Sequence, residues 1–141
     1  MSRISYSSLA VGAALPERSF QITRADLKRY ADASGDQNPI HQDEAFAKSV
    51  GLPNLIAHGM YTMALAGKFI TDWVGDFTAL VEFGVRFTKP VIVPADVPAT
   101  VIFTGSVTEL LPGNRAKVEI LAISDGVKVL GQARAVVVCD E

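Results

Sequence analysis

A long apolar segment in the middle of the chain places the strongest constraint on the fold. Apolar residues between Met60 and Val74 cover most of a helical circumference, and Gly75 ends the segment. A helix that is apolar on nearly all sides is usually buried rather than laid on a surface. The segment therefore predicts one buried central helix, about 22 Å long at roughly 1.5 Å per residue, around which the rest of the chain is arranged.

Strand patterns follow this helix. Apolar and polar residues alternate from Val81 to Thr88 and again from Val101 to Thr108. Such a period of two is typical of strands with one buried face.

Turn residues divide the remaining sequence into further strands. Pro112-Gly-Asn predicts a turn, and Asp125-Gly126 predicts a hairpin that joins strands 117–124 and 127–138. An antiparallel sheet must hide its apolar face, and wrapping the sheet around the central helix achieves this. We therefore expect an α+β fold in which residues 1–141 form a single domain.

The N-terminal part is less regular. We expect an irregular lead-in over residues 1–16 and a short first strand over residues 20–22. Thr23 then has the character of a helix cap, with Asp26 in the first turn, and Gly35 ends this helix.

The charge and hydropathy of the sequence argue against nucleic-acid binding and against a membrane span. The net charge is −2 and the pI is near 5.7, with no basic run longer than two residues, so nucleic acid is not an expected partner. Residues 49–67 carry no charge, but Pro53, Asn54, His58 and Gly59 interrupt them. These interruptions favour burial in a soluble core over a membrane span.

The N-terminus and the cysteine content indicate a cellular compartment. The first residues lack the apolar core of a secretory signal, and Cys139 is the only cysteine, so no internal disulfide is possible. We therefore expect a cytoplasmic protein.

A polar loop after the first helix carries the strongest functional signal. Asp36, Asn38 and His41 lie within six positions and are interrupted by Pro39, which favours a tight, defined loop. A carboxylate and an imidazole presented together are the usual groups for moving protons to and from water. The alternative is a solvated turn with a surface histidine. A short helix is expected next, over residues 43–50.

The second histidine, His58, precedes Gly59 at the amino end of the central helix. The first amides of a helix have no partner within it and carry the positive end of its dipole. A carbonyl oxygen docked there would be polarised, and Gly59 would let it approach the backbone closely. The alternative is that Gly59 only eases packing and His58 is a satisfied helix cap.

Together these groups suit reactions next to a carbonyl, including the addition of water to a conjugated double bond. Tyr61, Thr62 and Met63 would line an acyl channel, unless they are ordinary core residues. Arg86 and Lys89 would meet the phosphates of a carrier arm, unless they are simply outward-facing charges on a strand.

Other kinds of site are less well supported. A metal site would need Asp36, His41 and His58 to converge, and the sequence has neither a His-x-x-x-His motif nor a cysteine cluster. It also lacks the Gly-x-Ser-x-Gly elbow of serine hydrolases and the glycine motifs of nucleotide sites. We therefore expect no metal and no cofactor.

Three stretches resemble the MaoC-like, or (R)-specific, enoyl hydratases. Residues 30–47, centred on Ser-Gly-Asp-Gln-Asn-Pro-Ile-His, resemble the family signature. Ile56-Ala-His-Gly-Met60 resembles the start of the central helix of the family, and Val85-Arg-Phe-Thr-Lys-Pro-Val91 resembles the strand that follows it. The resemblance implies a hot-dog fold, a sheet wrapped around one helix.

The resemblance also implies roles for individual residues. Asp36 and His41 match the catalytic pair that holds the reacting water, and the Gly59 amide matches the group that binds the thioester oxygen. Supporting roles are expected for three further residues: Ser34, Asn38 and His58.

The implied reaction interconverts trans-2-enoyl and (R)-3-hydroxyacyl thioesters carried on coenzyme A or acyl carrier protein. The overall spacing resembles especially the catalytic subunits of the 3-hydroxyacyl-ACP dehydratases of type II fatty-acid synthesis, some of which act as heterodimers. The resemblance implies a homodimer, with a heterodimer of two hot-dog subunits as the alternative. Two other functions stay open: a hot-dog thioesterase, and a non-catalytic subunit, which would be expected to lack Asp36 or His41.

Overall fold

A computed structural model describes residues 2–141 and shows an antiparallel sheet of five strands packed against one long helix. The strands are β1 (Ala14–Ile22), β2 (Leu80–Phe87), β3 (Ala99–Leu111), β4 (Arg115–Ser124) and β5 (Val127–Val138), in the order β1-β3-β4-β5-β2. The α-helices are α1 (Arg24–Ser34), α2 (Glu44–Ser49) and α3 (Gly59–Val74), and short 3₁₀ turns span Tyr6–Ser8, Pro39–His41 and Phe77–Ala79. The predicted α+β architecture is confirmed. Within these described residues, no helix has the length and hydropathy needed to cross a membrane.

Helix α3 is buried on one side only. Ala66, Phe69 and Ile70 are fully buried and belong to the main core, which they share with buried residues of β1, β3, β4 and β5. Strand β2 contributes partly buried residues that pack against this core: Leu80, Phe83 and Val85. On the other side Met60 is 57% exposed, and Ala64 is exposed as well. The prediction of a helix buried on nearly all sides is therefore wrong for the single chain, because one sheet covers only one side of a helix.

The first strand is longer than the sequence suggested. Strand β1 begins at Ala14 rather than at residue 20. The predicted irregular lead-in over residues 1–16 is therefore too long, since its last residues belong to β1. Met1 lies outside the described residues. A bulge interrupts its pairing with β3 between Leu15 and Arg18. Since β1 is an edge strand, it accommodates Pro16 and the bulge, which obscure its pattern in the sequence.

Local signals define the helix that leads into the polar loop. The Thr23 hydroxyl accepts a hydrogen bond from the Asp26 amide at 3.1 Å, and the Asp26 carboxylate accepts one from the Thr23 amide at 2.8 Å. At the other end Gly35 adopts the left-handed conformation, with φ of 82°. Both predicted ends of α1 are confirmed. At the start of α2, the Asp43 carboxylate accepts a hydrogen bond from the Phe46 amide at 3.0 Å.

The predicted hairpin is also confirmed. Asp125 and Gly126 have φ angles of 51° and 72°, and they join β4 to β5. Strand β5 has the predicted bounds, whereas β4 begins at Arg115, two residues before the predicted 117. The extra residues pair with Leu111 and Leu110 of β3, which extends the ladder to the turn.

Close packing of α3 on the sheet depends on a strand glycine, Gly105 of β3. A Cβ atom at this position would lie 3.0 Å from the carbonyl oxygen of Glu119 and 3.3 Å from a ring carbon of Phe69. Gly84 of β2 differs, since its nearest neighbour would be the flexible Arg134 side chain at 3.7 Å. The missing side chain of Gly105 therefore allows the Phe69 ring to approach the sheet.

This difference gives a matched pair of variants. Gly105→Ala should lower the free energy of unfolding by about 1–3 kcal/mol, the usual range for overpacking. Gly84→Ala should change it by less than about 1 kcal/mol, because alanine is accommodated in a strand at least as well as glycine. Urea denaturation measures both values. Equal losses in the two variants would contradict the close approach of α3 to β3.

Candidate active site

The loop between α1 and α2 is fixed by hydrogen bonds between its own side chains and backbone. The Asp36 amide donates to the Ser34 hydroxyl at 3.2 Å, and the Asn38 amide donates to the Asp36 carboxylate at 3.1 Å. The Asn38 side chain accepts from the Ile40 amide at 3.2 Å and caps the turn that carries His41. Such bonds replace regular secondary structure and define the loop conformation. Ser34 and Asn38 thus shape the loop that presents Asp36 and His41.

His41 has a defined tautomer. Its ring is 7% exposed, and Nδ1 lies 2.7 Å from the carbonyl oxygen of Ile56. A carbonyl oxygen only accepts hydrogen bonds, so Nδ1 carries the proton and Nε2 keeps a free lone pair. Burial lowers the pKa of His41, although its hydrogen bond to Ile56 opposes this effect. The geometry therefore supplies a neutral imidazole whose Nε2 can accept a proton.

His58 reaches from the helix to the same loop. Its ring stacks on His41, with ring centroids 3.8 Å apart and an angle of 24° between the planes. Its Nε2 lies 3.1 Å from the backbone carbonyl oxygen of Asp36. The side chain makes no capping bond to α3. The reading of His58 as a satisfied helix cap is therefore wrong.

The structure brings together the three groups that a metal site would require. One possible ligand atom each from Asp36, His41 and His58 lies within 4.8 Å of the others. The two imidazoles, however, are stacked face to face, with 24° between their planes. The nitrogen lone pairs of each ring lie in the plane of that ring, so those of the two rings lie in nearly parallel planes. Because a metal ion lies in the plane of each histidine that binds it, this stacking disfavours one ion shared by both rings.

A cavity of about 350 Å³ opens beside this cluster. It is lined by His41, Ile56, Ala57, Gly59, Thr62, Phe87, Thr88, Lys89, Pro90, Val91, Val129 and Leu130. Its walls are therefore mainly apolar, with the His41 ring and the start of α3 among them. A larger groove of about 760 Å³ crosses β3, β4 and β5, but no histidine lines it.

The amino end of α3 lies at the wall of this cavity, which Gly59 lines. The first backbone bonds of the helix run from Tyr61 and Thr62 to the carbonyl oxygen of His58, at 3.0 and 3.2 Å. The amides of Gly59 and Met60 precede these bonds and lie at the positive end of the helix dipole. A Cβ atom on Gly59 would come within 3.1 Å of the Phe87 ring. The absence of a side chain thus lets Phe87 lie close to the start of the helix.

The other predicted site residues are divided between the cavity and its surroundings. Thr62 and Lys89 line the cavity together with His41 and Gly59. The Tyr61 ring instead packs edge-on against Tyr30, with centroids 5.2 Å apart. Two further residues lie outside the lining: Arg86, which is exposed and pairs with Gly131 of β5, and Met63, which is half-buried on α3.

Sequence reasoning missed three residues of the site. Ile56 supplies the carbonyl that orients His41, Tyr30 packs on His58 with centroids 4.7 Å apart, and Phe87 covers Gly59. The contribution of Ile56 is a backbone atom, which no residue type reveals. Tyr30 and Phe87 lie in a helix and a strand, where an aromatic residue type alone does not reveal a role in the site.

Comparison with known proteins relates the chain to one family. The MaoC like domain family matches residues 10–125. The curated 3-hydroxyacyl-thioester dehydratase X of Mycobacterium tuberculosis is 42% identical over 80 residues, which cover 57% of this chain and 28% of that protein. The matched segment therefore spans less than a third of the length of this relative.

Solved structures show the same fold. A MaoC-like dehydratase superposes with a TM-score of 0.96 and 38% identity, covering 99% of this chain and 43% of that chain. (R)-hydratase PhaJ1 from Pseudomonas aeruginosa, in its unliganded form, has a TM-score of 0.85 and 29% identity, covering 99% of this chain and 88% of that chain. The sheet and central helix described above thus form the predicted hot-dog fold.

The burial of His41 leads to a prediction about its titration. Because burial is the largest influence and lowers its pKa, His41 should be neutral above a midpoint that lies below the ordinary value of 6.5. Nuclear magnetic resonance of isotope-labelled histidine can follow this titration, and a His41→Asn variant assigns the signal. A midpoint at or above 6.5 would contradict the burial described for this ring.

Proposed function

The chain belongs to the MaoC-like domain family, and we propose that it is a hydro-lyase that interconverts trans-2-enoyl and (R)-3-hydroxyacyl thioesters in fatty-acid metabolism. The observation that carries this proposal is one apolar cavity lined by both the His41 imidazole and the start of α3 at Gly59, with the Asp36 carboxylate beside His41. The names of the similar proteins, a 3-hydroxyacyl-thioester dehydratase and an (R)-hydratase, support the same reaction class.

The backbone amide of Gly59 would polarise the substrate. A thioester oxygen that accepts a hydrogen bond from this amide gains from the positive end of the α3 dipole as well. Electron withdrawal through the conjugated system makes C3 electrophilic, and the negative charge of the enolate develops at the bound oxygen. A donor of this kind is typically worth about 3 kcal/mol of activation free energy.

The tautomer of His41 supports one route for the protons. Its free Nε2 takes a proton from water as the water oxygen bonds to C3, and the enolate forms. Neither neutral His41 nor the Asp36 carboxylate begins with another proton to give, so the imidazolium returns the same proton to C2. Asp36 holds the water and offsets the charge of the imidazolium, and dehydration follows the same steps in reverse.

Lys89 provides a contact for the carrier of the acyl group. Its exposed ammonium group belongs to a residue in the wall of the cavity, where the phosphates of coenzyme A or of a carrier arm would approach. Arg86 lies three residues earlier at the end of β2 and is also exposed.

We propose that the acyl chain lies in the mainly apolar cavity near the thioester, in contact with Thr62 and Phe87.

Asp36→Asn tests the reaction directly. The amide keeps the shape of the loop but cannot act as a carboxylate, so kcat for hydration of crotonyl-CoA should fall by about 10²- to 10⁴-fold. Loss of the enoyl-thioester absorbance measures the rate. Asp96→Asn, at an exposed aspartate of the 94–98 loop, is the matched control and should keep the wild-type rate.

Two outcomes would contradict the proposal. Full crotonyl-CoA hydration by Asp36→Asn would remove Asp36 from the mechanism. Release of free thiol from the enoyl substrate, detected with a thiol reagent, would instead indicate attack at C1 and a thioesterase.

We also propose that the chain pairs with a second hot-dog unit along β2. This strand is at the edge of the sheet, and Val81 on it is 46% exposed. Exposed Phe87 and Met60 continue the apolar surface onto the start of α3, beside the cavity. An unpaired edge with an apolar surface is suited to pairing with another strand. The simplest assembly is a homodimer, and a heterodimer with another hot-dog subunit is the alternative.

Charge placed on this edge tests the pairing. Val81→Lys should convert the dimer to a monomer, because a lysine on an edge strand opposes strand pairing. Val97→Lys, at a valine that is 56% exposed in the loop before β3, is the matched control and should leave the dimer intact. Light scattering after gel filtration measures the mass. A wild-type chain that is monomeric at micromolar concentration would contradict the homodimer.

A further inference from the structure

His58 is more completely buried than a helix cap requires. The residue precedes α3, where side chains usually accept a hydrogen bond from the first amides, yet His58 makes no such bond and is only 1% exposed. Its ring is directed at the 35–41 loop instead, and reaches the Asp36 carbonyl oxygen at 3.1 Å. Capping therefore does not explain why an imidazole occupies this position.

The two histidines tie the same two segments together in opposite directions. His41, on the loop, donates to the carbonyl of Ile56, just before α3. His58, at the start of α3, donates to the carbonyl of Asp36, on the loop. The rings lie in contact between these two bonds. This exchange fixes the distance between the loop and the amino end of α3.

The surroundings of His58 define which of its nitrogens donates. Since Nε2 faces a carbonyl oxygen, it carries the proton, and Nδ1 has no hydrogen-bond partner among residues 2–141. A proton on Nδ1 would be a buried donor without an acceptor. The ring contacts Tyr30 and the stacked His41, so aromatic groups cover it where it makes no hydrogen bond.

We infer that His58 is a positioning residue, which acts through its Nε2–H bond to Asp36 and its stacking on His41. It holds both groups of the acid–base pair at a fixed distance from the Gly59 amide. This inference rests on the proposed function for its kinetic consequence, but the tautomers of both histidines test it independently. His58 itself exchanges no proton with substrate in this scheme.

Three variants separate the hydrogen bond of His58 to Asp36 from its stacking on His41. His58→Leu removes both contacts and should lower kcat by about 10²-fold, which is the typical cost of misplacing catalytic groups by about 1 Å. His58→Gln keeps an amide donor, and His58→Phe keeps an aromatic ring, so each should recover part of the lost kcat. KM for crotonyl-CoA should change by much less than kcat in all three. Circular dichroism monitors their folding.

Isotope-labelled histidine provides a readout that does not depend on activity, since the chain has only two histidines. In the wild type, resonance data should show His58 as the neutral Nε2–H tautomer and His41 as the Nδ1–H tautomer. In His58→Leu, the His41 signal should change to a mixture of tautomers, and in His58→Phe the change should be smaller.

The outcomes distinguish this inference from the proposed function. A wild-type chain without hydratase activity, but with the two expected tautomers, would overturn the function and leave the positioning role supported. An Nδ1–H tautomer of His58 in the wild type would overturn the positioning role. The same conclusion would follow from a folded His58→Leu with unchanged kcat and unchanged His41 tautomer.

Discussion

Two imidazole-to-carbonyl hydrogen bonds hold the polar loop against the amino end of α3, and the site depends on them. His41 donates to Ile56 at 2.7 Å, and His58 donates to Asp36 at 3.1 Å. A third bond joins the same two segments, since the Ile56 amide donates to the carbonyl oxygen of Ile40 at 3.3 Å. With these bonds, the loop presents His41 to the cavity that Gly59 lines, with the Asp36 carboxylate close to His41. A neutral base and a helix terminus beside one apolar cavity form an arrangement suited to chemistry next to a carbonyl.

The way in which the sheet covers the helix explains why the cavity is open. The sheet contacts one side of α3, and Gly105 allows Phe69 to pack closely there. The amino end of the helix and edge strand β2 are left only partly covered, with Met60 and Phe87 exposed beside the cavity. The middle of α3, around Phe69, therefore packs against the sheet, whereas its amino end, at Gly59, lines the cavity. Pairing through β2 would cover the apolar part of this surface.

Much of the fold follows from local signals in the sequence. Thr23 and Asp26 form the expected cap, Gly35 ends α1, and Asp125-Gly126 forms the hairpin, because each depends on residues close in the chain. The loop motif also indicated correctly that Asp36 and His41 act as neighbours. The extent of β1, the exposure of α3 and β2, and the stacking of His41 on His58 depend on contacts between distant segments. The tautomer of His41 depends on a backbone carbonyl, which residue types do not encode.

A crystal structure of the Asp36→Asn variant with bound 3-hydroxybutyryl-CoA would test the central claim most directly. We expect the thioester oxygen to accept a hydrogen bond from the Gly59 amide, while the 3-hydroxyl group lies between residue 36 and Nε2 of His41. The acyl group would then occupy the cavity beside Phe87. A thioester bound elsewhere, or bound here with its hydroxyl directed away from His41, would contradict the account.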